Sequence, residues 1–463
     1  KKTKIYINPR ELNLVVKLQK PKVLIKNNVI NLSKLDLFLS LKSFFSSDFL
    51  LKRAEVAFIR NDIKDLTKIS RIFLPRIINK QLKKVFSKGT LEGEFYIPFD
   101  SDGKIAENYG FTGKISNATI NLTNEFIIKN LTTEISHGKK NDNNEFLIVI
   151  KKGFFYNLNL AGTEIDLKRE KNNTIIKSLL HTKGKLNFAE IKKISSLLGL
   201  DINFFNKINT NFDLKTNINF DLDNKFKIKN LLYSLGGKIV SLELHTEKNR
   251  IIEKYLPEYD PIIVLKDTNI NIKNQKLQQT MELVGLVKIN NKFDKFKFQE
   301  KYNYKQKKFN ILGNIDLTNL KVNIEKLKKR KKKEKESQLI FDINFILNEY
   351  YSINNIEFLA NETRIYLSDI KLNKKFEIDD VKNIEVKTFV DNVNNNDFAI
   401  KKSEKIIIIG EVFDAQPLLK SLYKKDDKKT FSKKFSSEIK INFDKTITGT
   451  NDDVTNFTMI ASI

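Results

Sequence analysis

The sequence predicts a mainly β protein, built on a long twisted antiparallel sheet with a few short helices. Apolar and polar residues alternate through residues 212–228, as side chains do on the two faces of a β-strand. The same period of two recurs along most of the chain, for example at residues 35–41 and 339–345. Helical periodicity is confined to a few short segments, so strands are expected to dominate.

The composition indicates a folded protein with a strong positive charge. The chain has 463 residues, of which 40% are hydrophobic and 35 are Phe, which is enough for a sizeable core. Lys and Arg number 83 against 56 Asp and Glu, a formal charge of +27. This excess has two interpretations, the codon bias of an AT-rich genome or attraction to an anionic surface. Because Lys occurs in nearly every predicted strand, the first is favoured.

Two classes of feature are excluded by the sequence itself. The chain contains no Cys, so it can form neither a disulfide nor a thiolate metal site. No apolar run approaches the roughly 20 residues that span a bilayer as a helix.

The sequence begins at Lys1 without Met or a signal-peptide pattern. We therefore expect a fragment whose membrane anchor would lie upstream.

The first predicted region, residues 1–90, combines strands with a helical pair. Alternation at residues 35–41 and 53–58 predicts two strands, joined by a short connection at residues 42–49. From residue 62 to residue 88 the apolar spacing becomes helical. Pro75 interrupts this pattern, and Gly89 is interpreted as the stop.

The second region, residues 91–205, is predicted as a first β-segment that ends in a short helix. Asp100 and Gly103 bound a turn, and residues 139–144 form a polar loop. Residues 187–200 have helical spacing. Asn187 and Glu190 stand at the spacing of a capping box, which predicts that the helix begins there.

The remaining chain is divided into a second β-segment at residues 206–327, a basic loop at residues 328–337 and a third β-segment at residues 338–463. Six consecutive Lys or Arg residues at 328–333 predict a solvated loop or an inserted arm. In the third segment, a short helix is expected over residues 415–423, capped by Asp414.

The apolar strand faces must be covered, and too few helices are predicted to cover them. Two sheets could pack as a sandwich, one sheet could close into a barrel, or a long sheet could curl into an elongated groove with an accessible lining. We expect the groove. Its predicted lining consists of apolar residues at alternate positions of three strands: Phe212, Leu214, Ile218, Phe220, Leu222, Phe341, Ile343, Phe345, Ile439, Ile441 and Phe443.

The sequence contains no motif of an enzyme or a metal site. The three histidines, His137, His181 and His245, lack a carboxylate at ligand spacing, and hydrolase, metalloprotease and P-loop signatures are missing. We therefore predict no catalytic residue, no metal and no cofactor. Aromatic residues alternate with Lys at residues 293–298, which suits either a nucleic-acid stacking surface or a strand with one apolar face. The strand is favoured.

Residues 406–422 resemble a strand–G-x-x-F-D-A-x-P-L-L–helix signature of AsmA-like envelope proteins. The matching residues are Gly410, Phe413, Asp414, Ala415, Pro417, Leu418 and Leu419. The strand pair at residues 35–58 and the β-segments at residues 89–103 and 113–131 are similar to that family in architecture only.

The resemblance implies a largely periplasmic protein of a Gram-negative bacterium, anchored to the inner membrane. It implies lipid transport, with phospholipid acyl chains carried along an apolar β-groove between the inner and outer membranes. The implied partners are phospholipid and both membranes, with envelope proteins as further candidates and no nucleic acid. The alternative is a structural or assembly factor for outer-membrane biogenesis that conducts no lipid.

Overall fold

The computed structural model describes residues 2–25, 28–41, 50–69, 84–106, 108–122, 125–138, 145–170, 173–197, 206–223, 227–346, 350–373, 378–423, 438–450 and 452–462. The chain divides into two compact units. Unit 1 comprises residues 1–186 and 211–235, and unit 2 comprises residues 187–210 and 236–463.

The strands of the first part of the chain are β1 Lys2–Asn8, β2 Asn13–Gln19, β3 Lys22–Ile25, β4 Asn28–Ser40, β5 Leu51–Asp62, β6 Phe86–Pro98, β7 Gly110–Asn121, β8 Ile127–His137, β9 Glu145–Phe155, β10 Leu158–Asn159, β11 Thr163–Arg169, β12 Asn173–Leu186, β13 Lys207–Asp223 and β14 Ile228–His245. The later strands are β15 Ile262–Asn274, β16 Gln278–Lys288, β17 Phe293–Asn303, β18 Lys308–Asp316, β19 Val322–Ile324, β20 Lys329–Lys331, β21 Ser337–Ile346, β22 Tyr350–Ala360, β23 Thr363–Leu372, β24 Ile378–Val390, β25 Val393–Lys402, β26 Ile406–Asp414, β27 Glu438–Ile447 and β28 Val454–Ser462. The helices are α1 Ile63–Ile69, α2 Phe188–Leu197, α3 Arg250–Tyr255 and α4 Gln416–Tyr423.

The predicted fold class is confirmed, because 26 strands belong to one long sheet that is almost entirely antiparallel. Within unit 2, each of β15 to β18 and β21 to β26 pairs with its neighbour along the chain in antiparallel register. The pair β26 and β27 is parallel, because α4 lies between these two strands in the chain. The strand period in the sequence does not specify this direction.

The predicted helical pair at residues 62–88 is only partly correct. Helix α1 lies where the helical spacing begins, but β6 already starts at Phe86. Gly89 is therefore inside a strand rather than at the end of a helix. Its φ of +135° is a conformation that favours glycine, and a Cβ there would contact Ala118. Residues 70–83 lie outside the described part of the chain.

Two predicted helix starts are confirmed by their hydrogen bonds. The backbone N–H of Glu190 donates to Asn187 Oδ1 at 3.0 Å, and the Asn187 N–H donates to Glu190 Oε2 at 2.9 Å, which completes the capping box of α2. At α4, the Gln416 N–H donates to Asp414 Oδ1 at 3.1 Å. Each is preceded by a strand, so the plan strand, cap and helix occurs twice.

Other local predictions have mixed outcomes. The turn at Asp100 is confirmed, since the Gly103 N–H donates to the Asp100 carbonyl at 3.1 Å. Helix α3 and strand β22 were not predicted, because each carries too little periodicity to stand out. The connection at residues 42–49, the loop at residues 139–144 and the end of the helix at residues 198–200 lie outside the described residues.

The basic run at residues 328–333 was predicted to be a solvated loop or an inserted arm, and the structure favours the arm, because the run lies in an insertion between β18 and β21. Residues 329–331 form β20, which pairs with β19. Lys331 is only 5% exposed, and its ammonium donates to the backbone carbonyls of Leu317, Thr318 and Leu320 at 2.5, 2.8 and 2.8 Å. The sequence pattern missed this because one Lys can be buried where carbonyl oxygens replace its water.

Residues 317–336, which we call the cap segment, connect β18 to β21 in unit 2. Leu317, Leu320 and Val322 form a buried cluster with Phe358 and Ile365 of the sheet. The Lys328 ammonium pairs with Asp414 at 2.9 Å. The cap segment is therefore held over one side of the sheet by its first residues and by Lys328 near its middle.

Candidate functional site

The strand registers of unit 2 place apolar side chains on one face of the sheet, across all its long strands from β15 to β28. Directly opposed residues form a continuous line, which we call the central row: Ile270, Leu283, Phe298, Gly313, Phe341, Ile356, Leu367, Ile384, Ile400, Ile408, Ile441 and Met459. Because side chains alternate between faces, the face that carries this row is the apolar face of unit 2.

The opposite face is mainly polar. One row on it, displaced by a single residue, runs through Glu282, Gln299, Leu312, Asp342, Asn355, Ser368, Asn383 and Lys401. Charges on this polar face are largely paired, as in Lys387 with Asp397 at 2.7 Å and Arg364 with Glu385 at 2.8 Å. Local pairing weakens the case for an anionic partner on this face.

The apolar face is buried at one side and half-exposed elsewhere. A second row contains Leu339, Phe358, Ile365, Val386 and Phe443, of which the last four are buried. The cap segment covers Phe358 and Ile365. Apart from the buried Gly313 and the exposed edge residue Met459, the central row is half-buried, so it is neither sealed between two layers nor fully open.

Glycines on the apolar face allow aromatic rings to lie flat across the neighbouring strand. A Cβ at Gly313 would collide with the ring of Phe341 on the paired strand, whereas one at Gly410 would collide with the backbone of Asp397 and Phe398. In unit 1, the Phe111 ring of β7 likewise lies against Gly93 of the neighbouring strand β6, and against Gly113 of its own strand. The apolar face is therefore smooth where such a ring lies over a glycine, because the ring fills the space that a side chain would otherwise take.

The sequence-predicted lining residues of unit 2 lie on one face, with one correction. Phe341, Ile343, Phe345, Ile439 and Ile441 are half-buried and belong to the apolar face. Phe443 shares the face but is only 3% exposed, because the rings of Phe413 and Phe398 pack on it at 4.9 and 6.1 Å. Phe443 is therefore a core residue and is not accessible to a ligand.

The predicted lining residues of β13 belong to unit 1. Phe212, Leu214, Ile218, Phe220 and Leu222 are all half-buried at alternate positions of the strand. Asp213, which points to the other face, accepts contacts from His181 Nε2 and Lys183 Nζ, both at 2.9 Å. These two partners lower the pKa of the Asp213 carboxyl. These are ordinary ion-pair contacts on the polar face of the strand, and they provide the His181 ring with its partner.

Unit 1 has an apolar face of its own. Its strand registers align Leu18, Leu35, Val56, Phe95, Phe111, His137, Phe146, Leu167 and Ile176 in one row. His137 is buried in this row. Its ring stacks on Phe146 at 4.0 Å, and its Nδ1 lies 2.9 Å from the Glu145 carbonyl. These contacts are those of a core histidine.

The residues that carry the AsmA-like resemblance make the following contacts. Asp414 is 5% exposed, pairs with Lys328, and its backbone N–H donates to Asn396 Oδ1 at 3.0 Å. Asn396 in turn donates to Thr388 Oγ1 at 3.0 Å. Phe413 stacks on Phe443, Ala415 is buried, and Pro417 stands in the first turn of α4, where no N–H partner is needed. Gly410 accommodates Phe398, Leu419 is half-buried and Leu418 is exposed.

Glu300 is a functional candidate that the sequence analysis missed. It lies on the apolar face of unit 2, directly between Met281 of β16 and Ile311 of β18. Burial raises the pKa of its carboxyl, and no cation or hydrogen-bond donor among the described residues opposes that shift. The sequence did indicate this position. Glu300 is separated by even numbers of residues from Phe296, Phe298 and Tyr302, so it lies on their face of β17 and not on the face of the lysines.

The pKa of Glu300 predicts an unusual pH dependence of stability. A carboxyl whose folded pKa lies above its ordinary value of 4.5 holds its proton more tightly in the folded state, so its ionisation destabilises the fold as pH rises through the folded pKa. Glu300→Gln should therefore gain stability relative to wild type as pH rises from about 4 to 7. Denaturant unfolding at several pH values would measure this difference.

Glu282→Gln is the matched control. Glu282 lies on the polar face of the adjacent strand, where Gln299 and Lys297 lower the pKa of its carboxyl. The stabilisation it contributes is present above its ordinary pKa and is lost as pH falls through the lowered one. Its pH trend should have the opposite sign, and equal trends in both variants would contradict the assignment of Glu300.

The described residues offer neither a metal cluster nor a long apolar helix. No group of three or more His, Cys, Asp or Glu residues among them could hold a metal ion. None of their helices is long and apolar enough to cross a bilayer. Comparisons of the chain with protein-family models, with curated proteins and with solved structures return no match.

Proposed function

We propose that this protein is a non-enzymatic lipid-binding and lipid-transfer protein of the bacterial envelope. In this proposal, acyl chains lie on the apolar faces of the two units while headgroups remain in water. The observation that carries it is the central row, which runs unbroken across the long strands of unit 2 and is half-exposed at all but two of its positions. A face of this size would be costly in water unless something apolar covered it.

The energetics favour chains over compact ligands. Each CH₂ group removed from water contributes about 0.8 kcal/mol, so a two-chain lipid gains affinity along a track without a specific pocket. At Gly313, where the Phe341 ring lies over the glycine, such a track has no protruding side chain. Travel between the inner and outer membranes, through the periplasm, is the part of the proposal that rests on the AsmA-like resemblance of residues 406–422.

The alternative is a structural or assembly factor that binds protein and conducts no lipid. The second row favours this alternative, because four of its residues are buried as in an ordinary protein core: Phe358, Ile365, Val386 and Phe443. The two functions differ in what the half-exposed rows contact, acyl chains in one case and a partner protein in the other.

Mass spectrometry of the purified chain separates these two functions. We expect phospholipid to co-purify at one or more molecules per chain and to survive gel filtration in detergent-free buffer. A bilayer-delivered fluorescent phospholipid should also transfer to lipid-free protein. Protein that is folded by circular dichroism yet carries no phospholipid, and acquires none from vesicles, would contradict the proposal.

A further inference from the structure

Glu300 places a carboxylate in the middle of the apolar face of unit 2. The row that contains it runs from Ile272 through Met281, Glu300, Ile311 and Ile343. Every other member of this row is apolar. Glu300 has neither an ion-pair partner nor a hydrogen-bond donor among the residues that the structure describes, and its pKa is raised by burial alone. A carboxylate in such surroundings loses hydration without compensation from the protein.

Aromatic side chains form the next row along the strands from Glu300. The rings of Tyr302, Phe309, Phe345 and Tyr351 follow one another across four strands, with centroids 4.3, 4.8 and 6.1 Å apart. Tyr302 is two residues from Glu300 on the same face of β17, a separation of roughly 7 Å along a strand. A carboxylate next to a line of aromatic rings is suited to a cation, since the rings attract positive charge and tolerate apolar substituents.

We propose that Glu300 and the adjacent aromatic row bind the ammonium group of an amphiphile whose alkyl chain lies along the central row. This inference rests on the proposed function and specifies its ligand as cationic or zwitterionic at the headgroup. An ammonium ion supplies the positive partner that the Glu300 carboxylate lacks among the described residues. An anionic headgroup would instead meet an uncompensated carboxylate, which disfavours it.

Two sources could supply this chemistry, a zwitterionic lipid headgroup or a free long-chain amine. The test uses the full chain with three single-chain probes below their micelle concentrations: dodecyltrimethylammonium, dodecylphosphocholine and the uncharged dodecyl maltoside. Binding is followed at pH 7.5 by calorimetry. We expect the wild type to prefer dodecyltrimethylammonium over dodecyl maltoside by about tenfold.

Glu300→Gln should remove that preference while binding of dodecyl maltoside stays unchanged. Glu282→Gln, on the polar face of the neighbouring strand, should keep it. Equal preference in wild type and Glu300→Gln, or equal loss in both variants, would overturn the inference. Circular dichroism melts verify that each variant is folded, and Glu300→Leu offers a second neutral replacement that suits the apolar row.

The outcomes also separate this inference from the proposed function. If all three probes bind equally well, the lipid-binding function stands and the ammonium site is excluded. If none binds, the lipid-binding function fails and the ammonium site fails with it. A preference shared by dodecylphosphocholine identifies a zwitterionic headgroup as the source, whereas preference for dodecyltrimethylammonium alone identifies a free amine.

Discussion

Replacing Lys331 by Met is expected to lower the free energy of unfolding of unit 2 by about 3 kcal/mol. Its buried ammonium donates to the carbonyls of Leu317, Thr318 and Leu320, all within the cap segment. Methionine keeps much of the apolar stem but supplies no donor. The Leu320 carbonyl would lose the one partner recorded for it, since the other two also accept backbone N–H groups.

We expect the loss of stability to affect the cap segment first and the rest of unit 2 less. Because Lys331 closes the cap segment on itself, its removal should loosen Leu317, Leu320 and Val322 over the sheet. Urea unfolding monitors the overall loss, and hydrogen exchange of peptides covering residues 317–336 monitors the cap segment. Faster exchange confined to those peptides is the expected pattern.

Lys332→Met is the matched control. Lys332 is the next residue in the same basic run and is exposed, so its replacement should change stability by less than about 0.5 kcal/mol. If the two variants were equally stable, the three carbonyl contacts of Lys331 would contribute nothing. The solvated-loop interpretation of the basic run would then be restored.

Lys331 also illustrates which structural features the sequence could and could not predict. Strand alternation depends on the side-chain period alone, so the β class and the shared face of Phe341, Ile343 and Phe345 could be predicted locally. The capping box at Asn187 is likewise local. The burial of Lys331 depends on where three distant carbonyls converge, which no spacing within the basic run encodes.

The candidate site shows the same limit. Phe443 has the alternation of a lining residue, yet the rings of Phe413 and Phe398, from the two preceding strands of the sheet, pack over it. Glu300 is the converse, a charged residue whose position in the strand places it on the apolar face. Strand phase was visible in the sequence for both residues, but only the registers show what each opposes.

Making the apolar faces polar, without disturbing strand pairing, is expected to reduce bound phospholipid at least tenfold. Ile311 and Ile343 oppose each other directly on the apolar face of unit 2, as Ile135 and Ile148 do in unit 1. Replacing each pair by Glu and Lys, as Ile311→Lys with Ile343→Glu and Ile135→Glu with Ile148→Lys, creates a cross-strand ion pair that the sheet can accommodate, and the lysine at position 311 then faces Glu300 instead of adding a like charge opposite it. Lipid phosphorus per chain after gel filtration is the measurement.

The physical reason is the cost of covering an ion pair with hydrocarbon. Exposed to water, the new pairs are nearly neutral in energy, but a lipid chain laid over them removes their hydration at a cost of several kcal/mol per ion. About 1.4 kcal/mol already corresponds to a tenfold change in affinity. Folding should therefore survive while chain binding is lost.

The polar face provides the control for this design. Leu312 opposes Asp342, and Val149 opposes Glu134, so Leu312→Lys and Val149→Lys create ion pairs on the other side of the same strands. Lipid content should stay at the wild-type level in that variant. A loss in both variants would indicate damage to the sheet itself. Retention in both would show that the lipid does not use these faces, which would leave the assembly function as the explanation of the half-exposed rows.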